Sequence, residues 1–102
     1  MMSNLLSPTE FETPVSQSDV VENWSGRGYP CVLFVDPLGQ RWEDVIHICN
    51  EVVILQDGRL GMEVSSVAVE MVPCDEIFIP KDAIPSVCNI HTGISKWLYG
   101  YY

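Results

Sequence analysis

Basic side chains are scarce in this sequence. Five of its 102 residues are lysine or arginine, against fourteen aspartates and glutamates, which gives a formal net charge of −9 at pH 7. Nucleic-acid backbones and anionic membrane surfaces are bound by clustered positive charge. The composition therefore argues against a nucleic acid or a membrane surface as the partner.

Long apolar runs are absent as well. No stretch reaches the roughly 18 consecutive apolar residues of a membrane-spanning helix, and the first residues lack the basic and then apolar pattern of a signal peptide. The cysteines show no CxxC spacing, so we interpret all four as small apolar residues of the core: Cys31, Cys49, Cys74 and Cys88. These absences predict a cytoplasmic protein with no membrane partner.

Motifs for several common chemistries are missing too, among them a GxSxG nucleophile elbow, a P-loop and a dinucleotide-binding GxGxxG. What is present, 47% hydrophobic and 19% charged side chains, is typical of one globular domain. Residues 1–15 mix Ser, Thr, Pro and Glu without periodicity and predict an N-terminal arm, flexible or laid across the surface. Residues 16–102 are predicted to form a single domain.

One short helix is predicted after the arm. Ser16 followed by Asp19 resembles a capping box, and the helix is expected to end at Gly26 or Gly28. Its predicted apolar side consists of Val20, Val21 and Trp24. Beyond Tyr29, short β-prone runs alternate with turn residues, which indicates a β-sandwich or barrel. The runs are CVLFV, RWEDVIHI, EVVILQ, RLGMEV, VAVEMV, EIFIP, SVCNI and SKWLYGYY.

The dipeptide Asp57-Gly58 predicts a two-residue β-hairpin. The register that follows pairs Leu55 with Leu60, Val53 with Met62, and Glu51 with Val64. Glu51 would then lie on the apolar, inward face of the hairpin. Because a lone buried carboxylate is costly, Glu51 needs a cation, a hydrogen-bond donor, a raised pKa or a water-filled cavity, unless it lies solvated at the barrel mouth.

The residues around this hairpin resemble the motifs of the cupin superfamily. The first cupin motif reads Gly, five residues, His-x-His, three or four residues, Glu, six residues, Gly, and four of its five positions match here: Gly39, His47, Glu51 and Gly58. The second motif reads Gly, five residues, Pro-x-Gly, two residues, His, three residues, Asn. Its positions here hold Cys74, Pro80, Asp82, Pro85 and Asn89. The resemblance covers residues 39–89 and implies an all-β, jelly-roll-like barrel.

The resemblance also implies a metal site that this chain has partly lost. In metal-binding cupins two histidines and the glutamate of the first motif, with the histidine of the second, hold a divalent ion such as iron, manganese, nickel or zinc. Val45 and Pro85 stand at two of these positions and have no donor atoms, so we expect no metal cofactor. An alternative ligand set for a divalent metal ion is His47, Glu51, Glu43 and His91.

The predicted ligand pocket consists of His47, Glu51, Val45, Pro85, Asn89 and Trp42. Without a metal, His47 and Glu51 are expected to form a charge-assisted pair that raises the pKa of the histidine and lowers that of the glutamate. Two functions stay open: a non-catalytic or metal-independent module that binds a small ligand in the barrel, and a metal-dependent isomerase or dioxygenase. The loss of two ligands favours the first. The aromatic residues Trp42, Trp97, Tyr99, Tyr101 and Tyr102 suit either a pocket mouth or an interface. The apolar terminus from Trp97 to Tyr102 also predicts a two-fold homodimer.

Overall fold

The computed structural model describes residues 6–9, 11, 14–36, 41–42, 49–64, 66–81, 83 and 85–102. These residues form nine strands and one helix in the order β1 Leu6–Pro8, α1 Gln17–Gly26, β2 Val32–Asp36, β3 Arg41–Trp42, β4 Glu51–Asp57, β5 Leu60–Val64, β6 Val67–Met71, β7 Asp75–Ile79, β8 Pro85–Asn89 and β9 Ser95–Tyr101. The predicted all-β class with one short N-terminal helix is confirmed. The remainder of the predicted strand RWEDVIHI lies outside the described residues.

Two antiparallel sheets face each other. The first has five strands in the order β1-β7-β4-β9-β2, and the second has four in the order β3-β8-β5-β6. One apolar cluster lies between the sheets, and a second lies between the outer face of the first sheet and α1. The described strands leave the two sheets open at their edges, in an arrangement compatible with a jelly roll.

The predicted hairpin at Asp57-Gly58 is wrong, although the faces it implied are right. β4 pairs with β7 on one side and with β9 on the other, so neither edge of β4 remains for β5. β5 pairs instead with β6 and β8 in the second sheet. The turn at Gly58, where φ is +97°, carries the chain from one sheet to the other. Glu51 and the apolar residues predicted to share its face therefore meet across the sandwich rather than along one ladder.

The helix begins and ends where the sequence predicts. The Ser16 side chain accepts a hydrogen bond from the backbone N–H of Asp19 at the N-cap. Val20 and Trp24 are buried against the first sheet, whereas Val21 is 42% exposed and its predicted place on the buried side is wrong. Ten residues make α1 too short to span a bilayer, and no helix among the described residues qualifies as a membrane span.

A buried carboxylate fastens α1 to the first sheet. Glu76 on β7 is 3% exposed and accepts hydrogen bonds from Trp24 Nε1 at 2.9 Å and from Arg27 Nη2 at 2.9 Å. The pKa of Arg27 is raised, chiefly by its hydrogen bond to Glu76. Part of the predicted N-terminal arm also joins this sheet, because β1 pairs with the free edge of β7.

The turn before β7 carries a signature of the second cupin motif. Cys74 stands where the motif places glycine, and its φ is +82°, a conformation that glycine adopts without steric cost. The backbone N–H of Cys74 donates to Leu55 O at 3.0 Å, and its thiol donates to Phe11 O at 3.3 Å. Position 74 thus has a backbone conformation that suits glycine, the residue of the motif at this place. All four cysteines are free thiols of intermediate exposure, so they are less buried than the sequence predicts.

Candidate functional site

A cavity of about 200 Å³ lies between the two sheets. Its described lining comes from six strands and consists of Phe34, Glu51, Val53, Met62, Ile79, Pro85, Val87, Trp97, Tyr99 and Tyr101. Nine of these ten side chains are apolar or aromatic. The lining therefore combines a largely apolar surface with one carboxylate, a composition common among small-molecule sites.

Strand alternation explains which residues reach the cavity. Odd-numbered residues of β4 and β9 point inward, while their even-numbered neighbours pack toward α1. The ladder between these strands places Glu51 opposite Tyr101 and Val53 opposite Tyr99. On its other side Glu51 is paired with Ile79 of β7. The carboxylate is thus held in a row between an aromatic and an aliphatic residue.

Glu51 is the buried acid of this cavity. The residue is only 4% exposed, and burial raises the pKa of its carboxyl from 4.5 to about 7. The pKa of Tyr101 is also raised, first by burial and then by the neighbouring Glu51 charge. The direction for Glu51 is opposite to the lowering expected from a pair with His47. Because His47 lies outside the described residues, the pair itself stays a prediction.

Four aromatic rings follow one another along one wall of the cavity. The ring centroids of Phe34 and Trp97 are 5.2 Å apart, those of Trp97 and Tyr99 5.7 Å, and those of Tyr99 and Tyr101 5.6 Å. The Trp97 residue is 9% exposed, and its buried indole N–H has no hydrogen-bond acceptor among the described residues. A buried donor of this kind is usually satisfied by water or by a ligand.

The structure places only some of the predicted pocket residues. Glu51 and Pro85 both line the cavity. Trp42 lies in β3 in register with Val87, which is itself a lining residue. Val45, His47 and the alternative ligand Glu43 lie outside the described residues, so their positions stay predictions.

Asn89 and His91 are not part of this cavity, contrary to the sequence prediction. Asn89 is at the opposite end of β8 from Pro85, and its side chain shapes the following loop instead. Its Oδ1 accepts from the Ser95 hydroxyl at 2.7 Å and from the His91 backbone N–H at 3.0 Å, and its Nδ2 donates to Gly93 O at 3.0 Å. The buried amide is therefore used to close a turn, and His91 is carried into that turn.

Among the described residues, the donor atoms do not fit the metal site that cupin motifs imply. Pro85 lines the cavity at the position of the second-motif histidine and offers no ligand atom. In the part of the chain that the structure describes, no three His, Cys, Asp or Glu residues are close enough to share an ion. A variant site through His47 and Glu43 stays a separate prediction.

The sequence does not predict several lining residues, notably Phe34 and Ile79. For Tyr99 and Tyr101 the sequence leaves a pocket and an interface open, and both residues line the cavity. Trp97, Tyr99 and Tyr101 alternate with a period of two and so share one face of a strand. Tyr102, by contrast, packs against Tyr29 with a centroid distance of 4.5 Å, beside the cluster under α1. The aromatic terminus thus divides between the two clusters.

No protein-family model matches the sequence, and no curated protein matches it either. Solved structures do resemble it. Drosophila melanogaster CENP-C bound to CAL1 is 14% identical over 71% of this chain and 63% of that chain, with a TM-score of 0.66. A cupin 2 conserved barrel domain protein from Salinispora arenicola is 15% identical over 72% and 62%, with a TM-score of 0.65.

A cupin superfamily protein from Desulfitobacterium hafniense is 16% identical over 72% of this chain and 65% of that chain, with a TM-score of 0.63. The present chain thus matches less than two thirds of the length of each of these three proteins. At such identities the likeness concerns the fold alone. It confirms the architecture that the motifs at residues 39–89 implied: this chain has the cupin fold.

Proposed function

We propose that this chain is a non-catalytic, metal-independent binding module that takes a small organic ligand into the cavity between its sheets. The lining carries the proposal, because it supplies aromatic and aliphatic surface with a single carboxylate and, among the described residues, no histidine, cysteine, lysine or arginine. Catalysis of acid-base or metal-assisted type needs several cooperating polar groups at one point.

The size of the cavity supports the same proposal. An engineered apolar cavity of about 150 Å³ in another protein binds benzene, so 200 Å³ is enough for a compact organic group. A metal-dependent isomerase or dioxygenase is the alternative, since Glu51 lies in the cavity and would need His47 and Glu43 beside it. Metal analysis of freshly purified protein distinguishes the two functions, because the enzyme requires one tightly bound ion per chain.

A neutral probe of compact shape tests the proposal. We expect 3,3-dimethylbutan-1-ol to bind saturably in the millimolar range, as measured by NMR titration, because its tert-butyl group matches the cavity. Val87→Phe should abolish binding by filling the space, since Val87 is a lining residue. Val21→Phe is the matched control, because Val21 is 42% exposed on α1 and is not a lining residue. Absence of saturable binding to the wild type, or equal binding to both variants, would contradict the proposal.

We also propose that the domain forms a two-fold homodimer with strand β2 at its interface. In the terminus that suggested the dimer, Trp97 and Leu98 are buried, whereas Tyr101 (43%) and Tyr102 (45%) are exposed. Strand β2 forms the end of the first sheet and pairs only with β9 among the described strands. Its exposed apolar residues are Val32 (46%), Leu33 (40%) and Val35 (45%). An apolar edge strand of this kind can pair with its own copy across a two-fold axis.

Light scattering at micromolar concentration should therefore give twice the chain mass of 11.5 kDa. Leu33→Lys should shift the mass to that of the monomer, because a charge would be placed at the centre of the joined edge. Glu63→Lys on β5, an exposed position in the other sheet, is the matched control. A clean monomer mass for the wild type would exclude this dimer.

A further inference from the structure

The four aromatic rings along one wall of the cavity, the aromatic wall, affect which ligand charge the cavity favours. The faces of Trp, Tyr and Phe rings carry a negative potential, so a group of rings around one space attracts cations. Here Phe34, Trp97, Tyr99 and Tyr101 all line the same cavity with successive centroids 5.2 to 5.7 Å apart. These distances leave no room for a ligand between neighbouring rings, so a ligand must contact the wall from the cavity side.

Among the described residues, the ionisable side chains that line the cavity are all acids: Glu51, Tyr99 and Tyr101. Glu51 lies in register with Tyr101 on the adjacent strand, at one end of the aromatic row. No basic side chain is present in the described lining, so an anionic ligand would meet no counter-charge. The formal net charge of −9 adds a general attraction for cations and repels anions. Both the local and the overall electrostatics therefore favour a positively charged ligand.

The chemical composition of the lining restricts which kind of cation the cavity can accept. Most of the lining consists of carbon, from Val53, Met62, Ile79, Pro85 and Val87 on the wall and floor around the rings. A primary ammonium would lose its hydration here, because most of the described lining offers no acceptor for its three N–H donors. A quaternary ammonium has no N–H donors, spreads its charge over methyl groups, and loses less on entering an apolar, aromatic site.

Resting on the proposed function, we propose that the cavity binds the quaternary ammonium group of a small organic cation. The methyl groups contact Trp97, Tyr99 and Tyr101, and the Glu51 carboxylate balances the charge. The buried indole N–H of Trp97 would donate a hydrogen bond to a polar substituent on the cation, such as a hydroxyl group.

Choline and 3,3-dimethylbutan-1-ol form a matched pair of probes, because they have the same shape and differ in the charge of the headgroup. At pH 8, choline should bind the wild type at least about tenfold more tightly than the alcohol in NMR titrations, as expected for a desolvated cation–π site. Equal affinities would overturn the inference while leaving the proposed function intact. Failure of both probes to bind would contradict the proposed function itself.

Two cavity variants test which side chains cause the preference for choline over the alcohol. Glu51→Gln keeps the shape of the side chain and should reduce the ratio of choline to alcohol affinity to near one. Tyr99→Leu should weaken choline more than the alcohol, whereas Tyr102→Leu, the same change outside the cavity lining, should leave both unchanged. A choline preference that survives both cavity variants would place the cation elsewhere and overturn the inference. So would a trimethyllysine peptide that binds where choline does not, because the ligand would then be a protein.

Discussion

Addition of Mn²⁺, Ni²⁺ or Zn²⁺ should raise the Tm of the double variant Val45→His/Pro85→His by roughly 10 to 20 °C and leave that of the wild type nearly unchanged. Both substitutions introduce imidazoles at the cupin metal positions. With His47 and Glu51 they would complete three histidines and one carboxylate. At a free metal concentration 100 times the dissociation constant, binding stabilises the fold by about 2.7 kcal/mol.

The structure supports one half of this design, since Pro85 and Glu51 line the same cavity. Thermal unfolding with and without metal measures the effect, and each protein must be compared with itself because Pro85→His removes a rigid residue and costs baseline stability. A wild type that already carries one tightly bound ion per chain would show that the metal-independent function is wrong. The variant ligand set through Glu43 would then become the better hypothesis.

Glu51→Gln should remove a loss of stability that the wild type suffers as pH rises. The carboxyl has a pKa of 4.5 in the unfolded chain and about 7 in the folded one, because burial disfavours its charged form. Below pH 4.5 both states are protonated and the full stability is present. Between pH 4.5 and 7 the unfolded chain ionises first, so the free energy of unfolding falls, and it levels off above 7.

The size of this loss follows from the shift. At 1.36 kcal/mol for each unit of pKa, the loss approaches about 3 kcal/mol by pH 8. Urea unfolding at pH 4.5 and pH 8 should therefore show a large decline for the wild type and a small one for Glu51→Gln, with Glu63→Gln on the exposed face of β5 as the control. A wild type as stable at pH 8 as at pH 4.5 would mean that a neighbouring cation keeps Glu51 ionised, as a pair with His47 would.

Local chemistry predicts the elements of this fold better than their partners. The Ser16 cap and the strand alternation at Glu51 depend on neighbours within a few residues, and both are confirmed. The turn chemistry of Asp57-Gly58 predicts a chain reversal and nothing about its destination. Which strand occupies each edge of β4 is decided by competition among segments far apart in sequence, and β7 and β9 occupy those edges.

The residues of the candidate site also differ in how well the sequence predicts them. Motif spacing groups Glu51 with Pro85, and both residues line the cavity. It fails for Asn89, whose amide is used by Ser95 and Gly93 to stabilise a loop, since hydrogen-bond partners across a turn leave no periodic trace in sequence. For Tyr99 and Tyr101 the sequence leaves a pocket and an interface open, because large aromatic residues suit both equally well.

Strand β4 contributes to both apolar clusters of the domain at once. It is buried on both faces from Glu51 to Leu55, with Val53 toward the cavity and Val52 and Ile54 toward the helix. Alternate residues of this one strand thus pack into two different parts of the molecule. Substitutions at odd positions therefore change the space between the sheets, whereas substitutions at even positions change the packing against the helix. A single strand thus allows the interior of the sandwich and the attachment of the helix to vary separately from one residue to the next.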